Sequence, residues 1–286
     1  VAGSGKTSIA LHRAAYLMYQ GLQTKLSANN IMIISPNSIF EQYISNVLPE
    51  LGEDNVISSV FEDILSALLI GRKIQSRNDF LENLIVNSKY KEISRNSIEF
   101  KTSSFFREIL DQFLIDIPRQ WIEFEDVYYE GKCVVSRQIL KDKILGRTET
   151  PLGIKLEQLE DYVLELIFGT GKRRGHKAEK NLVKQKIQKF IKIDIVELYK
   201  VLFNNETYFY SLLQNNKPLE NIKKIWEYTK ENLKTDCLYY DDAIAITYLY
   251  LKIYGNNEYK NIKQVVIDEA QDYYPLQYKI FSLLFP

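Results

Sequence analysis

Short apolar runs alternate with amphipathic stretches at both ends of the chain. IMIIS, residues 31–35, is a continuous apolar run of the kind that a buried parallel strand shows, and Pro36 and Asn37 close it. VVI, residues 265–267, repeats this pattern. Helical spacing of apolar residues is found at 8–20, 38–51 and 241–254. Alternating helices and strands predict a parallel sheet with helices on its faces.

The pattern changes between residues 62 and 235. Helical stretches such as 156–168 and 182–203 dominate there. WIEFEDVYYEGKCVVS, residues 121–136, is β-like and predicts a hairpin that turns at Glu130–Gly131. Because both flanks return to the alternating pattern, the segment is predicted to be a large, mainly helical insertion. The predicted organisation of this α/β protein is therefore 1–61, 62–235 and 236–286.

Composition excludes several classes of protein. The 286 residues are 45% hydrophobic, which is enough for a substantial core, and 37 basic residues balance 37 acidic ones, so net charge indicates no polyanionic partner. Two cysteines and two histidines, all widely spaced, argue against a zinc site. The sequence has no run of about 18 apolar residues, the length that predicts a membrane span. We expect a cytoplasmic protein with no membrane partner, and no oligomer is implied.

The glycine-rich run VAGSGKTS, residues 1–8, fits the end of the phosphate-loop pattern G-x-x-x-x-G-K-[ST]. Glycines in such a loop let backbone N–H groups surround phosphates, and the following helix adds its positive end. Lys6 would reach the β- and γ-phosphates, and the Thr7 hydroxyl would bind Mg²⁺. The alternative interpretation is an ordinary Gly/Ser turn followed by a lysine.

A second acidic motif, VVIDE, supports the phosphate-loop interpretation. Asp268 follows the predicted strand and could hold Mg²⁺, and Glu269 beside it could act as general base for an attacking water. Many strands end in acidic residues, so this motif alone is weak. Both motifs lie where α/β sheets bind ligands, and together they predict a site for a nucleoside triphosphate.

AGSGKT together with DEAQD resembles the UvrD/Rep branch of superfamily 1 helicases. Within that branch, residues 35–53 and 268–277 are similar to the HelD, or helicase IV-like, group, and IEFEDVYYEGK and IKIDIVELYKVLF resemble the arm-like insertion of that group. The resemblance implies a RecA-like P-loop NTPase domain, motor domain 1A, that uses ATP and Mg²⁺. It also implies a fragment truncated at both ends. Alone, such a fragment is expected to be nearly inactive, because arginines of a second motor domain complete the ATP site.

The resemblance assigns roles by position. The nucleotide would be bound by Gly3, Ser4, Gly5, Lys6, Thr7 and Ser8, and Mg²⁺ by Thr7 and Asp268. Catalysis would depend on Glu269, Lys6 and Gln271, with Gln271 linking the nucleotide state to motor movement. Nucleic acid would contact Ser35, Pro36, Asn37 and Ser59, although Pro-Asn is also ordinary turn chemistry. Many relatives carry Thr-Phe where this chain has Val60–Phe61.

Three functions stay open at this stage. The resemblance implies either a DNA helicase or translocase, or an ATPase that remodels RNA polymerase complexes. The alternative is a nucleotide-gated RNA polymerase-binding factor without unwinding activity. An unrelated P-loop enzyme is a third class, against which DEAQD argues. The basic run at 172–192 could contact nucleic acid or polymerase, or be the solvated face of a helix.

Overall fold

The computed structural model describes residues 9, 13, 16, 27–42, 56–86, 91–146, 150–169, 177–213, 221–256 and 258–285. The chain divides into two compact units. The first unit comprises 1–104, 231–248 and 256–286, and the second comprises 105–230 and 249–255. Among the described residues, no helix has the length and apolar character needed to cross a membrane.

A three-stranded parallel sheet lies in the first unit. Its strands are β1 (Ile31–Ser35), β2 (Ile57–Val60) and β7 (Gln264–Ile267), in the order β2-β1-β7. Every residue of β1 is buried, which explains why the central strand reads as a continuous apolar run. The predicted mixed α/β fold with a parallel sheet is confirmed for the described part of the chain.

The first unit also contains helices that precede and follow these strands in the chain. They are α1 (Phe61–Leu68), α2 (Arg77–Val86), α3 (Lys91–Lys101), the first part of α11 (Tyr240–Tyr254) and α12 (Pro275–Leu284). A second parallel pair joins β3 (Lys73–Ile74) to β6 (Cys237–Leu238). The helix α1 buries Phe61, Ile64, Leu65 and Leu68, a spacing that gives one apolar face.

Four polar residues form a buried charge cluster between α3 and α11: Ser97, Lys101, Asp241 and Asp242. The Lys101 ammonium lies 2.6 Å from Asp242 Oδ1 and 3.1 Å from Asp241 Oδ2, and Ser97 Oγ donates to Asp241 Oδ2 at 2.6 Å. Burial alone would lower the pKa of Lys101, but the two carboxylates raise it above its ordinary value. The lysine therefore stays charged in the core.

The second unit is mainly helical. It contains most of α4 (Ser104–Asp116), a π-helical turn (Ile117–Trp121), the strands β4 (Val127–Tyr129) and β5 (Lys132–Val135), and the end of α11. Its other helices are α5 (Arg137–Leu145), α6 (Leu152–Phe168), α7 (Lys177–Ile191), α8 (Ile195–Asn204), α9 (Glu206–Leu213) and α10 (Ile222–Asn232, of which residues up to 230 belong to this unit).

The hairpin expected within 121–136 is present. The strands β4 and β5 pair antiparallel, and Glu130 (φ 50°) and Gly131 (φ 76°) form the turn. Two consecutive residues with positive φ match the twist of a two-residue hairpin. The hairpin packs on α5, α6 and α7 through an aliphatic core that includes Val127, Val135, Leu140, Leu159, Val163 and Ile187. That this unit is an insertion into a motor domain stays a prediction.

The described part of the basic run is an amphipathic helix. Val183 and Ile187 of α7 are buried, whereas Lys180, Lys186 and Lys189 are exposed. Lys184 Nζ forms an ion pair with Glu160 Oε1 at 2.6 Å. This arrangement is typical of a solvated helix face, and a nucleic-acid contact there stays a prediction.

Candidate functional site

The predicted phosphate-binding residues Gly3, Ser4, Gly5, Lys6, Thr7 and Ser8 lie outside the described residues. The other predicted site residues are described, and they lie in the last two residues of a strand of the parallel sheet or shortly after its end. The carboxyl ends of parallel strands share one edge of a sheet, which is where open α/β sheets bind ligands. The candidate site is therefore built from this edge.

Asp268 continues the pairing of β7 with β1 by one residue. In the sheet register Ile34 is opposite Ile267, and the Asp268 N–H donates to the Ile34 carbonyl at 2.9 Å. Only 8% of Asp268 is exposed. The backbone pairing thus fixes the predicted Mg²⁺ ligand beside the end of the central strand.

Glu269 has a left-handed backbone with φ 45° and ψ 45°. A non-glycine residue in this conformation costs on the order of 1–3 kcal/mol, and such residues cluster at functional sites. A 3₁₀ turn, Ala270–Asp272, follows at once, and within it Gln271 Nε2 donates a hydrogen bond to Glu269 Oε2. The structure therefore brings the predicted general base and Gln271 into direct contact.

The end of β1 carries the predicted nucleic-acid contacts Ser35, Pro36 and Asn37. Ser35 is 1% exposed, and its hydroxyl has no hydrogen-bond partner in the described part of the chain. Asn37 Oδ1 accepts from the Phe40 N–H at 2.9 Å and so caps the helical residues 38–42. The turn chemistry considered from the sequence is present, and nucleic-acid contact at these residues stays a prediction.

Ser59 lies on β2, on the opposite side of β1 from Asp268. It is 7% exposed, and its single hydroxyl proton is shared between the Val60 carbonyl at 3.1 Å and Asp63 Oδ2 at 3.3 Å. These bonds belong to the start of α1, where Asp63 also accepts from the Val60 N–H. The structure gives Ser59 local partners at the start of α1, and its contact with nucleic acid stays a prediction.

Arg77, the first residue of α2, also reaches this edge, which the sequence reasoning missed. Its Nη1 donates to the Pro36 carbonyl at 3.2 Å, and its Nη2 lies 4.0 Å from Asp272 Oδ2. A cation in the first turn opposes the helix dipole. A positive charge at the start of a helix was therefore the available sign that Arg77 has a partner elsewhere. The sequence analysis assigned residue 77 to the predicted insertion and so did not place it at the sheet edge.

Glu62, just past the end of β2, interacts electrostatically with the same arginine. Burial raises the pKa of Glu62 above its ordinary value, while the Arg77 charge and a hydrogen bond from the Arg77 backbone N–H act to lower it. Burial also raises the pKa of Tyr273. Its phenol therefore stays protonated and donates to the Ser35 carbonyl at 3.3 Å.

The described residues contain no group of three or more His, Cys, Asp or Glu side chains that could cage a metal. Nucleotide-bound Mg²⁺ needs no such cage, because it takes one or two carboxylates together with phosphate oxygens and water. Asp268, whose backbone pairs with the end of β1, offers one carboxylate at this edge, and its role as a Mg²⁺ ligand stays a prediction. The donor set therefore fits Mg²⁺ bound with a nucleotide.

Residues 54–286 match the family model of the UvrD/REP helicase N-terminal domain. The chain belongs to this family. The matched range includes Asp268, Glu269 and Gln271, whereas the predicted phosphate loop and β1 lie in residues 1–53, which precede it. No curated protein matches the chain.

Membership of the UvrD/REP helicase family indicates an ATP-dependent nucleic-acid helicase, with ATP and Mg²⁺ as its cofactors and DNA as its partner. This agrees with the use of a nucleoside triphosphate expected from the two motifs. The described edge brings together Asp268, Glu269 and Gln271 on one strand end, with Ser35 and Pro36 on the next. Ser59 stands apart from them, beyond β1.

Proposed function

We propose that this chain binds and hydrolyses ATP within the first motor domain of a superfamily 1 helicase-like protein of the HelD, or helicase IV-like, group. Hydrolysis drives movement on DNA or remodelling of RNA polymerase complexes. One observation carries the proposal: DEAQD begins where β7 ends, with Asp268 held against β1 and Glu269 in a left-handed conformation. Family membership supports the ATPase part of the proposal.

The residues divide the chemistry between them. Backbone N–H groups of Gly3–Ser8 and the Lys6 ammonium would bind the phosphates, and Thr7 and Asp268 would hold Mg²⁺. When bound, Mg²⁺ would offset negative charge on the nucleotide phosphates. Glu269 accepts a proton from a water molecule while the oxygen of that water forms a bond to the γ-phosphorus. The bond to the β–γ bridging oxygen breaks, and the products are ADP and phosphate.

Gln271 has two roles in this proposal. Its amide donates to Glu269 Oε2, which holds the carboxylate in one orientation and leaves Oε1 as the oxygen that would accept the proton. Its place in the 3₁₀ turn also ties the general base to the segment that leads into α12. A change at the γ-phosphate can therefore reach the backbone of this turn.

Glu269→Gln is the variant that tests the general base. We expect it to bind ATP with nearly unchanged affinity and to lose turnover by about 10²–10⁴-fold, because a positioned base contributes that much. Lys6→Ala should instead weaken ATP binding or abolish turnover. Binding is measured by titration with a fluorescent ATP analogue and turnover by phosphate release.

Glu130→Gln is a matched control, since Glu130 is the other described non-glycine residue with a positive φ and lies in the hairpin turn of the second unit. It should leave both ATP binding and turnover unchanged. Normal turnover in Glu269→Gln would show that Glu269 is not the base.

A nucleotide-gated RNA polymerase-binding factor is the second candidate function. It is favoured by the second compact unit, which has its own hydrophobic core and an exposed lysine face on α7. Purified RNA polymerase should then bind the protein in a nucleotide-dependent manner, and charge reversal at Lys180, Lys186 and Lys189 should weaken binding without affecting ATP hydrolysis. A translocase would show ATP turnover stimulated by DNA alone.

A further inference from the structure

A single arginine joins the segments that follow two neighbouring strands of the parallel sheet, β1 and β7. The Arg77 guanidinium donates to the Pro36 carbonyl after β1 and faces the Asp272 carboxylate after β7. Its charge also acts to lower the pKa of the Glu62 carboxylate after β2. Arg77 reaches the edge from α2, which is outside the sheet.

The two guanidinium contacts use different nitrogens. Nη1 lies 3.2 Å from the Pro36 oxygen, and Nη2 lies 4.0 Å from Asp272 Oδ2. The guanidinium is planar and rigid, so its two nitrogens hold the Pro36 carbonyl and the Asp272 carboxylate in a fixed relative position. A lysine ammonium has only one nitrogen and cannot do this. The Arg77 side chain is 24% exposed and that of Asp272 is 48% exposed, so the contact lies at the rim of the edge, not in the core.

The two partners of Arg77 belong to different parts of the proposed function: Pro36 to nucleic-acid binding and Asp272 to ATP hydrolysis. Pro36 lies between Ser35 and Asn37, the segment predicted to contact nucleic acid. Asp272 ends the 3₁₀ turn that contains Gln271, and Gln271 donates to the proposed general base Glu269. The path from Pro36 to Glu269 therefore runs through Arg77, Asp272 and the backbone of one short turn.

We propose that Arg77 is a positioning residue that couples nucleic-acid binding at residues 35–37 to ATP turnover at Asp268 and Glu269. The inference rests on the proposed function. A shift of the Pro36 turn on nucleic-acid binding moves the guanidinium, and the guanidinium moves Asp272 and the turn that orients Glu269. Arg77 touches neither the nucleotide nor the reacting atoms.

Coupling of two binding sites is reciprocal. If single-stranded DNA tightens nucleotide binding by some factor, the nucleotide must tighten DNA binding by the same factor. A residue that only stabilises the fold would change both affinities, or the melting temperature, without removing this factor. The coupling factor is therefore the quantity that separates a positioning role from a structural one.

The test measures the affinity of the protein for a non-hydrolysable ATP analogue with and without a single-stranded oligonucleotide, and the affinity for the oligonucleotide with and without the analogue. In Arg77→Ala we expect the coupling factor to fall by at least about fivefold, the lower end of typical coupling. The affinity for the analogue alone should change by less than about twofold, since Arg77 makes no contact with the nucleotide in this proposal.

Arg77→Lys and Asp272→Asn complete the test and cover the case in which Arg77→Ala folds poorly. Lysine keeps the charge but not the fork, and asparagine removes the charge of the opposite partner, so both should lose most of the coupling. Arg95→Ala is the control, because Arg95 is exposed on α3 of the same unit and pairs with Glu99. It should keep the wild-type coupling factor.

The outcomes separate this inference from the proposed function. Wild-type coupling that survives in folded Arg77→Ala and Arg77→Lys overturns the role of Arg77 and leaves the proposed function standing. A wild-type protein that binds no ATP overturns the proposed function and the inference with it. Loss of coupling in Arg77→Lys and Asp272→Asn, at unchanged melting temperature, supports the inference.

Discussion

Two groups of charged residues in the first unit place a cation between carboxylates at different depths. The buried charge cluster holds Lys101 at 0% side-chain exposure with Asp241 and Asp242 at 3.1 and 2.6 Å. The strand-end cluster, Glu62, Arg77, Asp268, Glu269 and Asp272, is mostly half-exposed, and its Arg77–Asp272 distance is 4.0 Å. The short, fully buried contacts tie α3 to α11, whereas the longer Arg77–Asp272 contact lies at the rim, where solvent and a ligand can reach both groups.

The difference in burial predicts different losses in the free energy of unfolding for similar substitutions. Removing one partner of a buried ion pair leaves an uncompensated charge, so Lys101→Met should lower the free energy of unfolding by about 3–5 kcal/mol. Chemical denaturation followed by circular dichroism measures this loss. Lys234→Met is the control, because Lys234 is 62% exposed and pairs with Glu231 on the surface. Its effect should stay below about 1 kcal/mol.

The strand-end cluster should lose much less stability on a similar substitution. Arg77→Met should lower the free energy of unfolding by less than about 1 kcal/mol, because its ion pair is long and half-exposed. Its main effect should be on the coupling between nucleic acid and nucleotide. A loss of stability as large as that of Lys101→Met would remove the distinction between the two groups.

Glu62 provides a smaller, pH-dependent test. Its pKa is raised above 4.5 in the folded protein, mainly by burial, so the folded state binds the proton more tightly than the unfolded state. The resulting stabilisation is fully present below the unfolded pKa and is lost as the pH rises through the folded pKa. Glu62→Gln should therefore reduce the fall in the free energy of unfolding above pH 4.5.

Denaturation midpoints measured across this pH range provide the readout for Glu62. Glu99→Gln serves as the comparison, since Glu99 is 58% exposed on α3. If Glu62→Gln and Glu99→Gln shift the pH profile equally, burial of Glu62 has no energetic consequence.

Local patterns explain what the sequence could predict. The strands β1 and β7 and the hairpin turn at Glu130–Gly131 follow from short apolar runs and turn residues that lie next to each other in the chain. The sheet edge followed from the rule that parallel strands end together. The family resemblance in DEAQD then gave the acidic residues their proposed roles.

Long-range contacts explain what the sequence could not predict. Arg77 meets Pro36 across 41 residues, and Lys101 meets Asp242 across 141 residues. No periodicity or composition specifies such partners, because they depend on how α2, α3 and α11 pack. The left-handed backbone of Glu269 is likewise set by the pairing of β7 and the 3₁₀ turn after it, not by a glycine.

The central claim is that Asp268 holds Mg²⁺ with ATP at the end of β7. The direct measurement is the affinity for a fluorescent ATP analogue with and without Mg²⁺, in the wild-type protein and in Asp268→Asn. We predict that Mg²⁺ tightens binding to the wild-type protein and has little effect on the variant, since the variant lacks the carboxylate that the ion needs. The same Mg²⁺ dependence in both proteins would contradict the claim.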